Sequence, residues 1–205
     1  MTEADARVVS ALHEQLAERR GLLDDGAERV GWKAALGIEE VGNRPVIGYL
    51  TSATELRSGA AHSAASGAEL CVDAELAVEI GRDGAIARYA AALELVDLGQ
   101  ARGSVESVIR ANVLHRAFVL GSPHDEPAGA AAVYVDDRLR TEAVADFDLE
   151  ERVDVVAYWL AAAGERLEPG DWIITGSIVQ VPVAPGDEVA VEIGELGRLE
   201  VSIVE

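Results

Sequence analysis

The residues best suited to chemistry are gathered in one alternating stretch, Ala68-Glu-Leu-Cys-Val-Asp-Ala-Glu-Leu-Ala-Val-Glu-Ile-Gly81. Successive side chains of a strand point to opposite faces. Leu70, Val72, Ala74, Leu76, Val78 and Ile80 therefore share one face, suited to a core, and Glu69, Cys71, Asp73, Glu75, Ala77 and Glu79 share the other. Carboxylates lined up on one strand face repel, and water, basic partners or a cation must offset the repulsion. Asp73 and Glu75 are neighbours on that face, and Glu94 lies in Leu93-Glu-Leu-Val-Asp97, a second strand-like run. Three such carboxylates make an oxygen-only ligand set. Hard divalent cations, Mg2+ or Mn2+, take that set and keep waters for a substrate to displace. A solvated acidic face has the same alternation, and spacing alone leaves both readings open.

A second candidate is Lys33. The chain has 17 basic residues, and Lys33 is the only lysine among them. Its amine can change protonation state where a guanidinium cannot, so it is either an accident of composition or retained for that property. His115, one turn from Asn112 on a predicted helix, reads as a surface histidine, and His62 as a solvated loop residue.

The bulk properties narrow the partners. A chain of 205 residues, 49% hydrophobic, can build one sizeable core. A formal charge of -20 excludes nucleic acid and anionic membrane as natural partners, and otherwise serves solubility. A small anionic substrate would need local positive charge, most simply a bound metal. No apolar run reaches the roughly 20 residues of a membrane span. Cys71 is the one cysteine, so no internal disulfide forms, and the opening Met-Thr-Glu-Ala-Asp is unlike a secretion signal; a cytoplasmic location is expected.

The elements that must carry these residues can be read in order. Residues 2–20 have a helical stripe, with a capping box at Thr2 and Asp5, ending at Gly21. Short strands are predicted at 30–37 and 46–50 around a turn at Gly42-Asn43-Arg44-Pro45, followed by a lid-like loop over 51–67. After the acidic strand come a strand at 93–97, a helix over 104–116, a loop at 121–130 and a strand pair at 133–139 and 142–149. Asp148 caps a helix that Gly164 stops. Two Pro-Gly-Asp turns launch strands at 172–177 and 188–193, and a last strand fills 199–204. The pattern predicts an α+β chain: an N-terminal helical segment, 1–27, and one β-rich domain, 28–205, with a few packed helices.

The tail, Gly170-Asp-Trp-Ile-Ile-Thr-Gly-Ser177 with Val181-Pro-Val-Ala-Pro-Gly-Asp187, resembles the C-terminal signature of the fumarylacetoacetate hydrolase superfamily. Within it, the chain is most similar to the 2-keto-4-pentenoate hydratase and 4-oxalocrotonate decarboxylase branch. Gly31-Trp-Lys33, Pro45-Val-Ile-Gly48, Asp73-Ala-Glu75, Leu93-Glu-Leu-Val-Asp97 and Phe118-Val-Leu-Gly121 follow that branch's motifs in order. The resemblance implies a mixed β-roll and a hydro-lyase acting on a small 2-oxo or 2-hydroxydienoic acid through a metal-stabilised enolate. It makes Asp73, Glu75 and Glu94 the ligands of Mg2+ or Mn2+ and Lys33 an acid/base or carboxylate partner. It places Asn112, Thr175, Gly176 and Ser177 around the substrate. It also leaves open a decarboxylase, a C–C hydrolase, or a non-catalytic partner subunit that kept the fold. A homo-oligomer is expected, with pairing to a related decarboxylase or hydratase. The chain departs from the branch in having Asp73 for a glutamate, Ala111 for an aspartate, Gly99 for an arginine, and only 18 residues between Glu75 and Glu94.

Overall fold

The computed structural model of the protein describes residues 2–38, 44–100 and 103–205. The chain begins with α1 (Glu3–Asp24), capped by the reciprocal bonds of Thr2 and Asp5. β1 (Arg29–Ile38) and β2 (Arg44–Thr51) follow, then β3 (Ala60–Ser63), β4 (Leu70–Ile80) and β5 (Ile86–Asp97). α2 (Val105–Arg110) leads through a short 3-10 turn into β6 (His115–Leu120), β7 (Ala130–Val135) and β8 (Arg138–Val144). α3 (Leu149–Ala162) precedes β9 (Trp172–Ile174), β10 (Val179–Pro182), β11 (Glu188–Ile193) and β12 (Arg198–Val204). Among the described residues no helix is long and apolar enough to cross a membrane.

The strands form two sheets. One has the order β2-β1-β9-β4-β5-β6, with β10 also paired to β4; the other has the order β3-β12-β11-β7-β8. β4 is the hub. Its residues Ala77–Glu79 pair with β9, its residues Cys71–Ala74 pair with β10, and its other edge pairs along its length with β5. β9 and β10 therefore lie end to end along one edge of β4. The four residues between them, 175–178, bow away opposite Glu75 and Leu76.

Apolar burial sets the layers. One core lies between the larger sheet and the helices: Leu12 and Leu16 of α1 and Val156, Trp159 and Leu160 of α3 pack on Trp32, Val46, Ile47 and Ile173. The other lies between the two sheets, where Val72, Leu76, Leu93 and Leu95 meet Val133, Val191 and Val201. The apolar face of β4 serves both, since Leu70 to Leu76 face the second sheet and Val78 and Ile80 face the helices. α1 shares its core with β1 and β2.

Several local expectations are corrected. α1 continues through Gly21 to Asp24, because its apolar residues still have a core to cover. The 51–67 loop contains β3, which pairs in parallel with β12. β5 begins at Ile86, where β4 offers it a partner. The predicted helix over 104–116 ends at Arg110, and β6 starts at His115. The β7–β8 turn falls at Asp136 and Asp137, both with positive φ (53° and 59°), as a two-residue hairpin of this hand requires. β10 was not anticipated. The turn expected at Gly42 and Asn43 lies outside the described residues.

One close approach tests the sheet. At Gly31, in the parallel β1–β9 pair, an added Cβ would lie 1.9 Å from the Trp172 carbonyl oxygen. Gly31→Ala must push β9 off β1 and should destabilise the protein by about 3 kcal/mol or more. Gly21→Ala, in the open on α1, should instead stabilise it by up to about 1 kcal/mol. Denaturant melts of the two variants read both signs.

Candidate metal centre

The β4–β5 ladder brings the acids together. Asp73 stands directly opposite Glu94, and Glu75 follows on the same face. The hairpin turn between the strands occupies 81–85, so the short sequence separation of Glu75 and Glu94 is what this register needs. One oxygen from each carboxylate lies within 4.8 Å of the others. All three residues are almost fully buried, at 4%, 2% and 1% exposure. They line a cavity of about 300 Å³ with Lys33, Ser177 and Gln180. Its other walls are apolar: Ala34, Ala35, Val96, Leu98, Val108, Val113 and Leu114. No arginine lines it among the described residues.

Each acid is held by different neighbours. Asp73 accepts a hydrogen bond from the Ser177 hydroxyl at 3.0 Å, and Gln180 faces it across the β4–β10 pair. Glu75 accepts from the backbone N–H of Gly176 at 2.7 Å. Both donors come from the bowed segment or from the strand just beyond it. Glu94 Oε1 lies 2.5 Å from Lys33 Nζ and 2.6 Å from His115 Nδ1. Lys33 also donates to the Val113 carbonyl at 3.2 Å. Lys33 reaches Glu94 because its neighbour in β2 is Gly48. A Cβ there would meet Lys33 Cγ at 2.9 Å and Asn112 Oδ1 at 2.7 Å.

The electrostatics follow from burial. Desolvation, with the nearby Glu94 charge, raises Asp73 to about 6. Glu75 rises well above the usual carboxylate range by burial and by both neighbouring acids. Burial also pushes Glu94 upward, but Lys33 and His115 outweigh it and hold Glu94 below its ordinary value. Burial lowers His115, against the opposing pull of the Glu94 carboxylate. With its acids ionised the site holds three carboxylates against one ammonium, and a divalent cation cancels the remaining two negative charges. The donor set is all oxygen, so Asp73, Glu75 and Glu94 fit Mg2+ or Mn2+.

The expected pocket residues divide. Lys33, Asp73, Glu75, Glu94 and Ser177 meet at the cavity. Asn112 does not line it: its Oδ1 accepts from the Tyr49 N–H at 2.8 Å and its Nδ2 donates to the Tyr49 carbonyl at 3.0 Å, so the amide is spent on joining the turn to β2. The Thr175 hydroxyl is turned to the Leu76 carbonyl, and Gly176 acts through its N–H on Glu75. His115, read from sequence as a surface residue, is buried against Glu94. In the β5–β6 ladder it stands opposite Val96, two residues from Glu94, a placement hidden by the helical reading of 104–116. Gln180 was missed because β10 was. Glu69 is exposed and Glu79 pairs with Arg88, as solvated strand ends.

A pH dependence follows. Asp73 holds its proton more tightly in the folded protein, at about 6, than at its ordinary value of 3.8. That proton stabilises the fold at low pH, and its contribution is lost as pH rises from near 4 through 6. Metal-free protein should therefore lose stability across this window. Asp73→Asn should remove the Asp73 part of the dependence, leave that of Glu75, and stabilise the metal-free protein at pH 7.5 by on the order of 3 kcal/mol. Thermal melts in chelator between pH 4.5 and 7.5 measure it.

No protein-family model matches the chain. No curated protein matches it by sequence. Solved structures do. The 4-oxalocrotonate decarboxylase from Pseudomonas putida G7, complexed with magnesium and adipate, superposes with a TM-score of 0.83 at 21% identity, covering 96% of this chain and 86% of that one. The 5-carboxymethyl-2-hydroxymuconate delta-isomerase from Mycobacterium smegmatis gives 0.67 at 19% identity, over 87% and 78%. Fumarylpyruvate hydrolase from Pseudomonas aeruginosa, with Mn2+ and pyruvate, gives 0.63 at 17% identity, over 86% and 90%. The two-sheet α+β architecture wrapped around β4 is thus the fold of the fumarylacetoacetate hydrolase superfamily.

Proposed function

We propose that this chain is a divalent-metal-dependent hydro-lyase, a hydratase acting on a small 2-oxo or 2-hydroxydienoic acid. The observation that carries the reading is the buried Asp73–Glu75–Glu94 cluster with the only lysine of the chain set against it in an otherwise apolar cavity. A bound Mg2+ or Mn2+ would supply positive charge for the substrate carboxylate and 2-oxygen and stabilise enolate character. The chain's own residues do the rest. Ser177 and the Gly176 N–H orient Asp73 and Glu75. Lys33 spends two of its donors on Glu94 and the Val113 carbonyl. Lys33 lines the cavity, where its ammonium can hold or deliver a proton to the substrate carbon skeleton. Val96, Leu98, Val108 and Leu114 keep water from the reacting carbons and suit a short hydrocarbon tail.

That apolar wall supports a monocarboxylate over a diacid, whose second carboxylate would find no arginine among the described residues. A decarboxylase of 2-oxo diacids is the second reading, favoured by the TM-score of 0.83 to the decarboxylase. A non-catalytic partner subunit is the third. Consumption of 2-hydroxypenta-2,4-dienoate, followed by its ultraviolet absorbance with Mg2+ or Mn2+, tests the first. Release of CO2 from a 2-oxo diacid with no loss of diene absorbance would transfer the site to the second. Failure to bind either metal at millimolar concentration would sink both enzyme readings.

Lys33 is buried as well as placed for chemistry, so its removal has two effects. Lys33→Met should lower kcat/KM by about 100-fold or more. It also leaves buried Glu94 with His115 but without its ammonium partner, at a cost of about 3 kcal/mol in chelator. Saturating Mn2+ should recover most of the stability and none of the activity, as read by melts and turnover on the same sample.

A further inference from the structure

The proposed reaction makes no use of His115, yet both of its ring nitrogens are held. Its side chain is 1% exposed, as is that of Glu94. Nδ1 lies 2.6 Å from Glu94 Oε1, and Nε2 lies 2.9 Å from Thr54 Oγ1. An ionised carboxylate only accepts hydrogen bonds, so Nδ1 carries a proton and donates to Glu94, while the Thr54 hydroxyl holds Nε2 and also lies 3.4 Å from the Thr51 carbonyl. Thr54 is itself fixed, since its carbonyl accepts from the Phe118 N–H of β6 at 3.1 Å. The backbone behind the ring is unusual. Asn112, Val113 and Leu114 all have left-handed φ (52°, 53° and 65°), and His115 begins β6 immediately after them. Such a run is costly for residues with a Cβ, most of all for Val113. It turns the chain from α2 into β6 so that the imidazole lands beside Glu94 and the Val113 carbonyl beside Lys33.

We infer that His115 is a positioning residue that fixes the rotation of the Glu94 carboxylate, so that Oε1 is held by His115 and Lys33 and Oε2 is presented to the cation. The inference rests on the metal centre proposed above. Asp73 and Glu75 take their orientation from a hydroxyl, an amide and a backbone N–H. Glu94 alone takes it from a histidine whose other ring nitrogen is held by a second residue, Thr54. Outer partners of this kind typically change metal affinity by about 10- to 100-fold when removed.

Mn2+ titration of the full chain, with free ion read by electron paramagnetic resonance, tests this without any substrate. His115→Leu fills most of the ring's volume and removes the donor, and should weaken Mn2+ binding about 10-fold or more. His115→Asn places an amide N–H where Nδ1–H stands, and should recover binding to within about 3-fold of wild type. A residue that only fills space predicts the reverse order, because Asn is the poorer packing substitute. Equal affinity of His115→Leu and wild type, or an Asn variant as weak as the Leu variant, would overturn the inference. Should His115→Leu fail to fold, Thr54→Val keeps the ring and removes the hydroxyl that holds Nε2 and so the ring's orientation. A loss of about 3-fold is then expected, and unchanged affinity overturns the inference. Wild-type protein that binds no Mn2+ would remove the metal centre itself, a failure visible before any variant is made.

Discussion

Three carboxylates within 4.8 Å of one another, all buried, with one ammonium to answer them, form the constraint on which the rest of the molecule depends. Burial makes each charge expensive and proximity makes each dearer in the presence of the others. Only the third is met inside the chain, by Lys33. The arrangement holds in the absence of a cation because two of the acids rise toward neutrality, and it becomes fully ionised when a divalent ion supplies the missing charge. Stability and ligand binding are then one equilibrium seen from two sides.

Much of the local architecture serves that cluster. The break between β9 and β10 frees a backbone N–H and a hydroxyl exactly where β4 carries its acids. Gly48 permits the close approach of Lys33 and Asn112. The left-handed run at 112–114 would not persist alone. It is held by the Asn112 amide on the Tyr49 backbone and by Gln15, whose amide donates to the carbonyls of Ile47 and Ile109 and so clamps α2 and β2 to α1. On the other side, Asp171 in the Pro-Gly-Asp turn accepts from Arg29 and from the Trp32 indole, which fixes β1 beside β9. The helices thus reach the site indirectly, by holding β1, β2 and the strained turn in place.

The same features show which residues can be exchanged without touching chemistry. Thr175 and Asn112 sit next to site residues in sequence but spend their polar atoms on backbone partners. Their contribution is to shape, while Ser177, Lys33 and an apolar wall line the cavity.

Alternation and residue type were enough to determine the acidic strand, the Asp73–Glu75 pair, the solitary lysine, the Thr2 and Asp148 caps and the α+β class. All are local properties, read at a period of two or of 3.6 residues. Motif order pointed to the fold and to Glu94 as the third acid. What sequence could not decide was which face of β4 would be dry, since a strand of alternating acids is equally compatible with water. The second sheet covers one face, and Lys33 of β1 with the connection from α2 to β6 closes over the other. Nor could it place His115, because residues 104–116 carry an adequate helical pattern. Pairing with β5 overrides it, at the cost of three left-handed residues. Burial and register are long-range, and those alone turned four spaced residues into one charged cluster.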